Sequence, residues 1–186
     1  MTHTYYASEP VVDNLYFVNI PKCASQTVRA WAAQMATKDA VIKEPFRFCI
    51  LREPWGRLKS TFAYGCGARY SYNFTIDMIG EWYLGTPPKN PTFQQADLLV
   101  HFGTQRSFVD AAPCAIDNWY HTGMMRELRK DLSTISGCTV GWQEENRSNY
   151  TEEFTVDYNR WFSANETKLD QLLETDLELY SSHGFS

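Results

Sequence analysis

The stretch Leu15-Tyr16-Phe17-Val18-Asn19-Ile20-Pro21-Lys22-Cys23-Ala24-Ser25-Gln26-Thr27 decides the fold. Leu15–Ile20 is an apolar run rich in aromatic and β-branched side chains, which reads as a buried strand. Pro21 stops it. From Thr27 to Met35 the apolar residues Val28, Trp31, Ala32 and Met35 fall on one helical face, so a helix follows directly. The order recurs at Phe46–Leu51 (FRFCIL), followed by Pro54 and a helical pattern through about Tyr64. A proline just inside a helix start loses no N–H that the helix needs. Strand, turn and helix twice over predict a parallel α/β sheet, with loops at the C-terminal strand ends where such sheets bind ligands.

Outward from there, Phe74–Leu84 reads as a helix, Thr86–Pro91 (TPPKNP) as a loop and Ala115–Trp119 as a strand. Met124–Ser136 reads as a helix ended by Gly137, Cys138–Trp142 as a further strand and Asn165–Tyr180 as an amphipathic helix. No internal repeat interrupts the chain. Its 186 residues predict a single domain over 1–186 with a sizeable core.

The net charge of −5 speaks against a general nucleic-acid coat, which needs many Lys and Arg contacts to phosphate. No apolar run approaches the ~20 residues of a membrane span, and Met1–Pro10 lacks the regions of a signal peptide. Five scattered cysteines without a CxxC pair fit a reduced compartment better than a disulfide framework or zinc site. The expectation is a soluble, cytoplasmic protein with no nucleic-acid or membrane partner. Between Ala40 and Phe62, Lys43, Arg47, Arg52, Arg57 and Lys59 outnumber Glu44 and Glu53. Such a concentration around one strand–helix junction fits either a small-anion site or an ordinary salt-bridged surface.

Two motifs carry the chemistry. In Pro21–Thr27 a strand opens into a helix, which directs backbone N–H groups and the positive helix end at an anion. Lys22 adds a mobile charge, Ser25 and Thr27 add hydroxyls, and the small side chains of Cys23, Ala24 and Ser25 let a phosphate approach the backbone. The motif is not GxxxxGK[ST]: the lysine precedes the turn, which argues against ordinary ATP or GTP hydrolysis. The alternative is a polar turn with Thr27 as a helix cap. In the second motif, Arg52–Ser60 (REPWGRLKS), the planar fork of Arg52 stands where the strand ends and can grip a phosphate bidentately. Ser60 lies on the helix that follows, and Arg57 reads as a helper or a surface cation.

The pair PKCASQT and LREPWGRLKSTF resembles the sulfotransferases that use 3′-phosphoadenosine 5′-phosphosulfate (PAPS), and within them the carbohydrate branch. His101-Phe-Gly-Thr-Gln105, Ala115–Leu132 with Asp131, Asn146-Arg-Ser148 and Asp176-x-x-x-Tyr180 extend the likeness over most of the chain. Arg126 departs from it, standing where the family usually has an acid. The resemblance implies a P-loop-NTPase-like three-layer sandwich with a central parallel sheet flanked by helices. It also implies sulfuryl transfer from PAPS to a hydroxyl or amine of a small-molecule or glycan acceptor, with a carbohydrate foremost, releasing adenosine 3′,5′-bisphosphate.

On that reading Lys22 would stabilise charge on the oxygen leaving sulfur. Residues Lys22, Cys23, Ala24, Ser25, Gln26 and Thr27 would hold the 5′-phosphate, and Arg52 with Ser60 the 3′-phosphate. No metal is required, because the transferred group carries little charge. His101 is the first candidate for general base and Glu53 the second. His3, His121 and His183 read as incidental, and a structural role competes for His101 itself. Asp131 and Asp176 read as structural, anchoring helices or pairing with arginines. Arg69, Tyr70 and His101 are the acceptor-side candidates, from a segment of polar-edged rings between Tyr64 and Tyr83 that also reads as core. A small-molecule kinase of related fold and a non-catalytic module binding PAPS or the bisphosphate stand as alternatives.

Overall fold

A computed structural model of the chain describes residues 12–67, 73–142 and 150–185. Strands β1 (Leu15–Val18), β2 (Phe46–Leu51) and β3 (Asn118–His121) form a parallel sheet in the order β1-β2-β3. Leu15 stands opposite Phe46, and Leu51 opposite His121. All three strands therefore end at one edge of the sheet.

Side chains alternate across a strand, and the middle strand is buried on both faces. Phe48 and Ile50 join Phe17, Tyr120, Val28, Trp31 and Leu128 beneath α1 (Ser25–Ala36) and α6 (Met125–Ser136). Cys49 and Leu51 face the other way, joining Ile20, Cys23, Leu179 and Tyr180, the last two from α7 (Glu152–Ser182). Helix, sheet, helix is the resulting layering, which explains why FRFCIL is apolar without interruption.

Beyond the sheet, α2 (Pro54–Gly65), α3 (Ile76–Tyr83) and α4 (Phe93–Val100) pack with α7 around Leu58, Phe62, Ile79, Trp82, Leu98 and Leu169. Close approach requires glycine here: a Cβ at Gly65 would meet Ile79 at 2.7 Å and Leu98 at 2.8 Å. Helix α5 (Gln105–Asp110) follows the 101–104 turn.

Several expectations are corrected. Cys138–Trp142 is not a strand: the Val140 N–H donates to Ser133 Oγ, that of Gly141 to Gln34 Oε1, and the Val140 carbonyl accepts from Arg129. Side chains of α1 and α6 occupy the backbone groups that a ladder would need. The third strand lies three residues later at its start than Ala115–Trp119, because Asp117 N–H and the Asn118 side chain pair with the Arg47 carbonyl and set the register. Helix α7 begins at Glu152, capped by Thr151, well before Asn165. Its early turns bury Tyr158 and pack Phe154, Trp161 and Phe162, aromatic residues of modest helix propensity whose helicity comes from packing. All five cysteines are free thiols, and no helix among the described residues is long and apolar enough to cross a membrane.

Candidate functional site

The two motif loops meet at the C-terminal edge of the sheet. After β1 the chain turns tightly through Lys22 (φ 68°) and Ala24 (φ 61°), both left-handed, before α1 begins. Alanine at the N-cap has no side-chain oxygen, so it accepts nothing from the first-turn amides of Ser25, Gln26 and Thr27. Arg52 leaves β2 beside this turn, and its Nη1 donates to the Lys22 carbonyl at 3.3 Å. Its guanidinium also lies over the first turn of α2, where a Cβ on Gly56 would stand 3.6 Å from Arg52 Nε.

Gln105 joins the loops. Fully buried, it accepts from the Arg52 N–H at 2.9 Å, donates to the Arg52 carbonyl at 2.8 Å and accepts from the Cys23 thiol at 3.2 Å. Behind it, Asp176 of α7, 0% exposed, accepts from the N–H groups of Gln105 and Arg106. Asp176 also lies 3.9 Å from Arg57 Nη1.

Arg57 is no surface cation. Only 5% exposed, it donates to the carbonyls of Pro21, His101 and Gly103 at 3.1, 3.1 and 2.8 Å. One guanidinium thus ties the first loop, the 101–103 turn and α7 to α2. The sequence offered a partial signal for the acid alone, which falls on the buried stripe of α7.

A second cluster lies beside the loops. Lys22 Nζ sits 3.8 Å from the centre of the Tyr64 ring, a cation–π distance. His101 stacks on the same ring, centroids 4.5 Å apart and planes 25° apart. Its Nδ1 lies 2.8 Å from the Asp97 carbonyl, and a carbonyl only accepts, so Nδ1 carries the proton and Nε2 the lone pair. The Tyr64 hydroxyl donates to the Asp97 carboxylate at 2.7 Å.

Burial, with Lys22 and Arg57 adding like-charge repulsion, pulls His101 down to about 4 against the partial offset of the Asp97 carbonyl. In the unfolded chain it titrates near its ordinary value of about 6.5. Between those values the unfolded chain takes up a proton that the folded chain refuses. Stability therefore falls as pH drops from about 6.5 to about 4, and this contribution levels off below, at a loss of about 3 kcal/mol at most. Urea denaturation at pH 7, 5 and 4 should show that slope in the parent, and a shallower one in His101→Gln.

The remaining expected residues divide. Glu53 caps α2, its carboxylate accepting from the N–H groups of Trp55 and Gly56 at 2.9 and 2.6 Å, which occupies both oxygens. Cys23 faces inward: burial raises its thiol to about 11, and its amide donates to the Ile20 carbonyl. Thr27 is not the helix cap; it lies within α1 and is buried, whereas Ser25 is half-buried and Gln26 exposed. Ser60 is buried on α2, 3% exposed. The cationic cluster is smaller than its residue count, since Arg47 pairs with Asp117 at 3.1 Å and Arg57 is internal.

Asp131 accepts from the Tyr120 hydroxyl at 2.6 Å, and Arg126 is exposed on α6. His121 stands at the end of β3, where its Nδ1 accepts from the Gly123 N–H. Phe74, Trp82 and Tyr83 pack in the helical core. Arg69, Tyr70, Tyr72 and Asn146–Ser148 lie outside the described residues, as does His3.

Two clefts lie away from this edge, one of about 240 Å³ around Val12, Asp39 and Ile42, the other of about 720 Å³ among Cys66, Asp77, Phe154 and Trp161. Among the described residues, no group of three or more His, Cys, Asp or Glu side chains is arranged to hold a metal ion. No protein-family model, curated protein or solved structure matches the chain.

Proposed function

We propose that this protein is a PAPS-dependent sulfotransferase, acting on a hydroxyl or amine of an acceptor, with a carbohydrate the first class to test. The observation that carries this reading is the 3.3 Å contact from Arg52 Nη1 to the Lys22 carbonyl, which sets two cationic loops side by side at the sheet edge. A ligand with a phosphate at either end suits two neighbouring grips better than either alone. The first-turn amides of α1 and the Lys22 ammonium would hold the 5′-phosphate end. Arg52, rather than the buried Ser60, would hold the 3′-phosphate and so distinguish PAPS from ATP. The five free thiols fit a reducing compartment such as the cytoplasm.

In sulfuryl transfer the acceptor oxygen attacks sulfur in line as the bond from sulfur to the bridging oxygen breaks. Catalysis is then mostly positioning and charge stabilisation, as in phosphoryl transfer. Negative charge grows on the departing bisphosphate, where Lys22 would meet it. The acceptor proton goes to His101 Nε2, which is unprotonated at neutral pH because burial keeps the ring neutral. Glu53 is committed to its cap and is the weaker base.

Adenosine 3′,5′-bisphosphate at about a hundred times its Kd, with no metal added, should raise Tm by about 5 °C or more. Arg52→Ala and Lys22→Met should each weaken that response. Incubation with sulfur-labelled donor and a panel of sugar and amine acceptors should give a labelled product. No shift at millimolar bisphosphate overturns the reading. Tight binding without turnover would mark a non-catalytic binding module, and a larger shift with ATP and Mg²⁺ would mark a kinase.

A further inference from the structure

Resting on the reading of His101 as the base, we propose that Tyr64 is a positioning residue that holds the Lys22 ammonium on the ring against which His101 stacks, so that the proton affinity of the base follows the position of the lysine. The ring takes the Lys22 cation at 3.8 Å and the imidazole at 4.5 Å. Asp97 fixes both aromatic partners from one residue, its carboxylate accepting from the Tyr64 hydroxyl and its carbonyl from His101 Nδ1.

Among the described residues, the charged and titratable groups facing His101 come from three elements. Lys22 comes from the turn after β1, Arg57 and Tyr64 from α2, and Asp97 from α4. Arg57 is tied to three carbonyls by its guanidinium and stays in place. Lys22 reaches the Tyr64 ring on a flexible four-carbon stem, so a change in its position changes the charge felt at His101. While it rests on Tyr64 its charge disfavours imidazolium and lowers the basicity of Nε2. An anion that draws the ammonium away, or cancels its charge, makes His101 the stronger base. The base would therefore be strengthened by occupation of the anion site, before the acceptor loses its proton.

Histidine NMR titration of the full chain tests this without reference to turnover. Lys22→Met should raise the His101 midpoint by about half a pH unit or more, the size expected for removing a nearby unit charge under partial screening. In protein carrying Tyr64→Leu, the same Lys22→Met change should move the midpoint little further, because the lysine no longer rests there. Equal shifts in the two backgrounds overturn the proposal, since a merely structural Tyr64 would leave the Lys22 effect intact.

A variant-free check guards against poor folding of Tyr64→Leu: the ε-methylene protons of Lys22 should be shifted upfield by the ring current of Tyr64. Their appearance at ordinary positions overturns the proposal as well. Bisphosphate binding with no Tyr64-dependent coupling defeats the positioning role alone. Coupling present without bisphosphate binding defeats the nucleotide reading and leaves the Tyr64 contact standing.

Discussion

Arg57→Met should destabilise the protein by about 3–5 kcal/mol, the cost of removing one partner from a buried, hydrogen-bonded charge. The methionine fills much of the space but leaves the Pro21, His101 and Gly103 carbonyls without this donor. It also leaves Asp176, 0% exposed, without the cation at 3.9 Å. Against a total stability of about 5–15 kcal/mol the loss is a large share. Asp176→Asn should cost less, since it keeps the size of the side chain and one amide acceptor. The double change should cost less than the sum of the two, because each removes the same pair. Urea denaturation followed by tryptophan fluorescence reads all three, and a cost below about 1 kcal/mol for Arg57→Met would show that the guanidinium does not carry this junction.

On the proposed function, Gln105→Leu separates assembly of the site from direct contact with the bisphosphate. Leucine matches the volume of glutamine but cannot serve the Arg52 N–H, the Arg52 carbonyl or the Cys23 thiol. Leaving these groups unmet in a buried place should cost about 2–4 kcal/mol. Arg52 would lose the two bonds that fix its backbone, so bisphosphate affinity should fall about tenfold or more although Gln105 itself is buried away from the loop surface. Arg52→Ala should show the opposite pattern, weakening the bisphosphate while changing stability little, because its guanidinium is only partly buried. Isothermal titration alongside urea melts distinguishes the two. Unchanged affinity in Gln105→Leu would mean that the loops keep their positions without this amide.

These residues also show why some features were legible and others were not. The strand Phe46–Leu51 and the helix from Pro54 are written in local pattern, a run buried on both faces followed by proline at the first helical position. The short helices α4 and α5 carry local signals as well, a Thr92/Gln95 capping box and a Thr104 cap, which their weak apolar periodicity hid. Cys138–Trp142 reads as a strand by composition, yet its backbone is taken up by side chains from α1 and α6. Arg57 shows the limit most plainly. Its carbonyl partners lie 36 to 46 residues away, so nothing in REPWGRLKS distinguishes a buried clamp from a solvated cation.

The sequence alone determined the two strand–turn–helix units, the tight turn that carries Lys22 and the place of Arg52 at a strand end, because alternation, caps and prolines act over a few neighbouring residues. Only the tertiary structure decided that the two loops touch, that Gln105 and Arg57 bind them from within, that Glu53 is spent on a helix cap and that Lys22 and His101 meet the same Tyr64 ring. Those outcomes depend on how α2, the 101–105 turn and α7 pack together. Buried polar groups must find partners wherever the folded chain brings them, however far apart they stand in sequence.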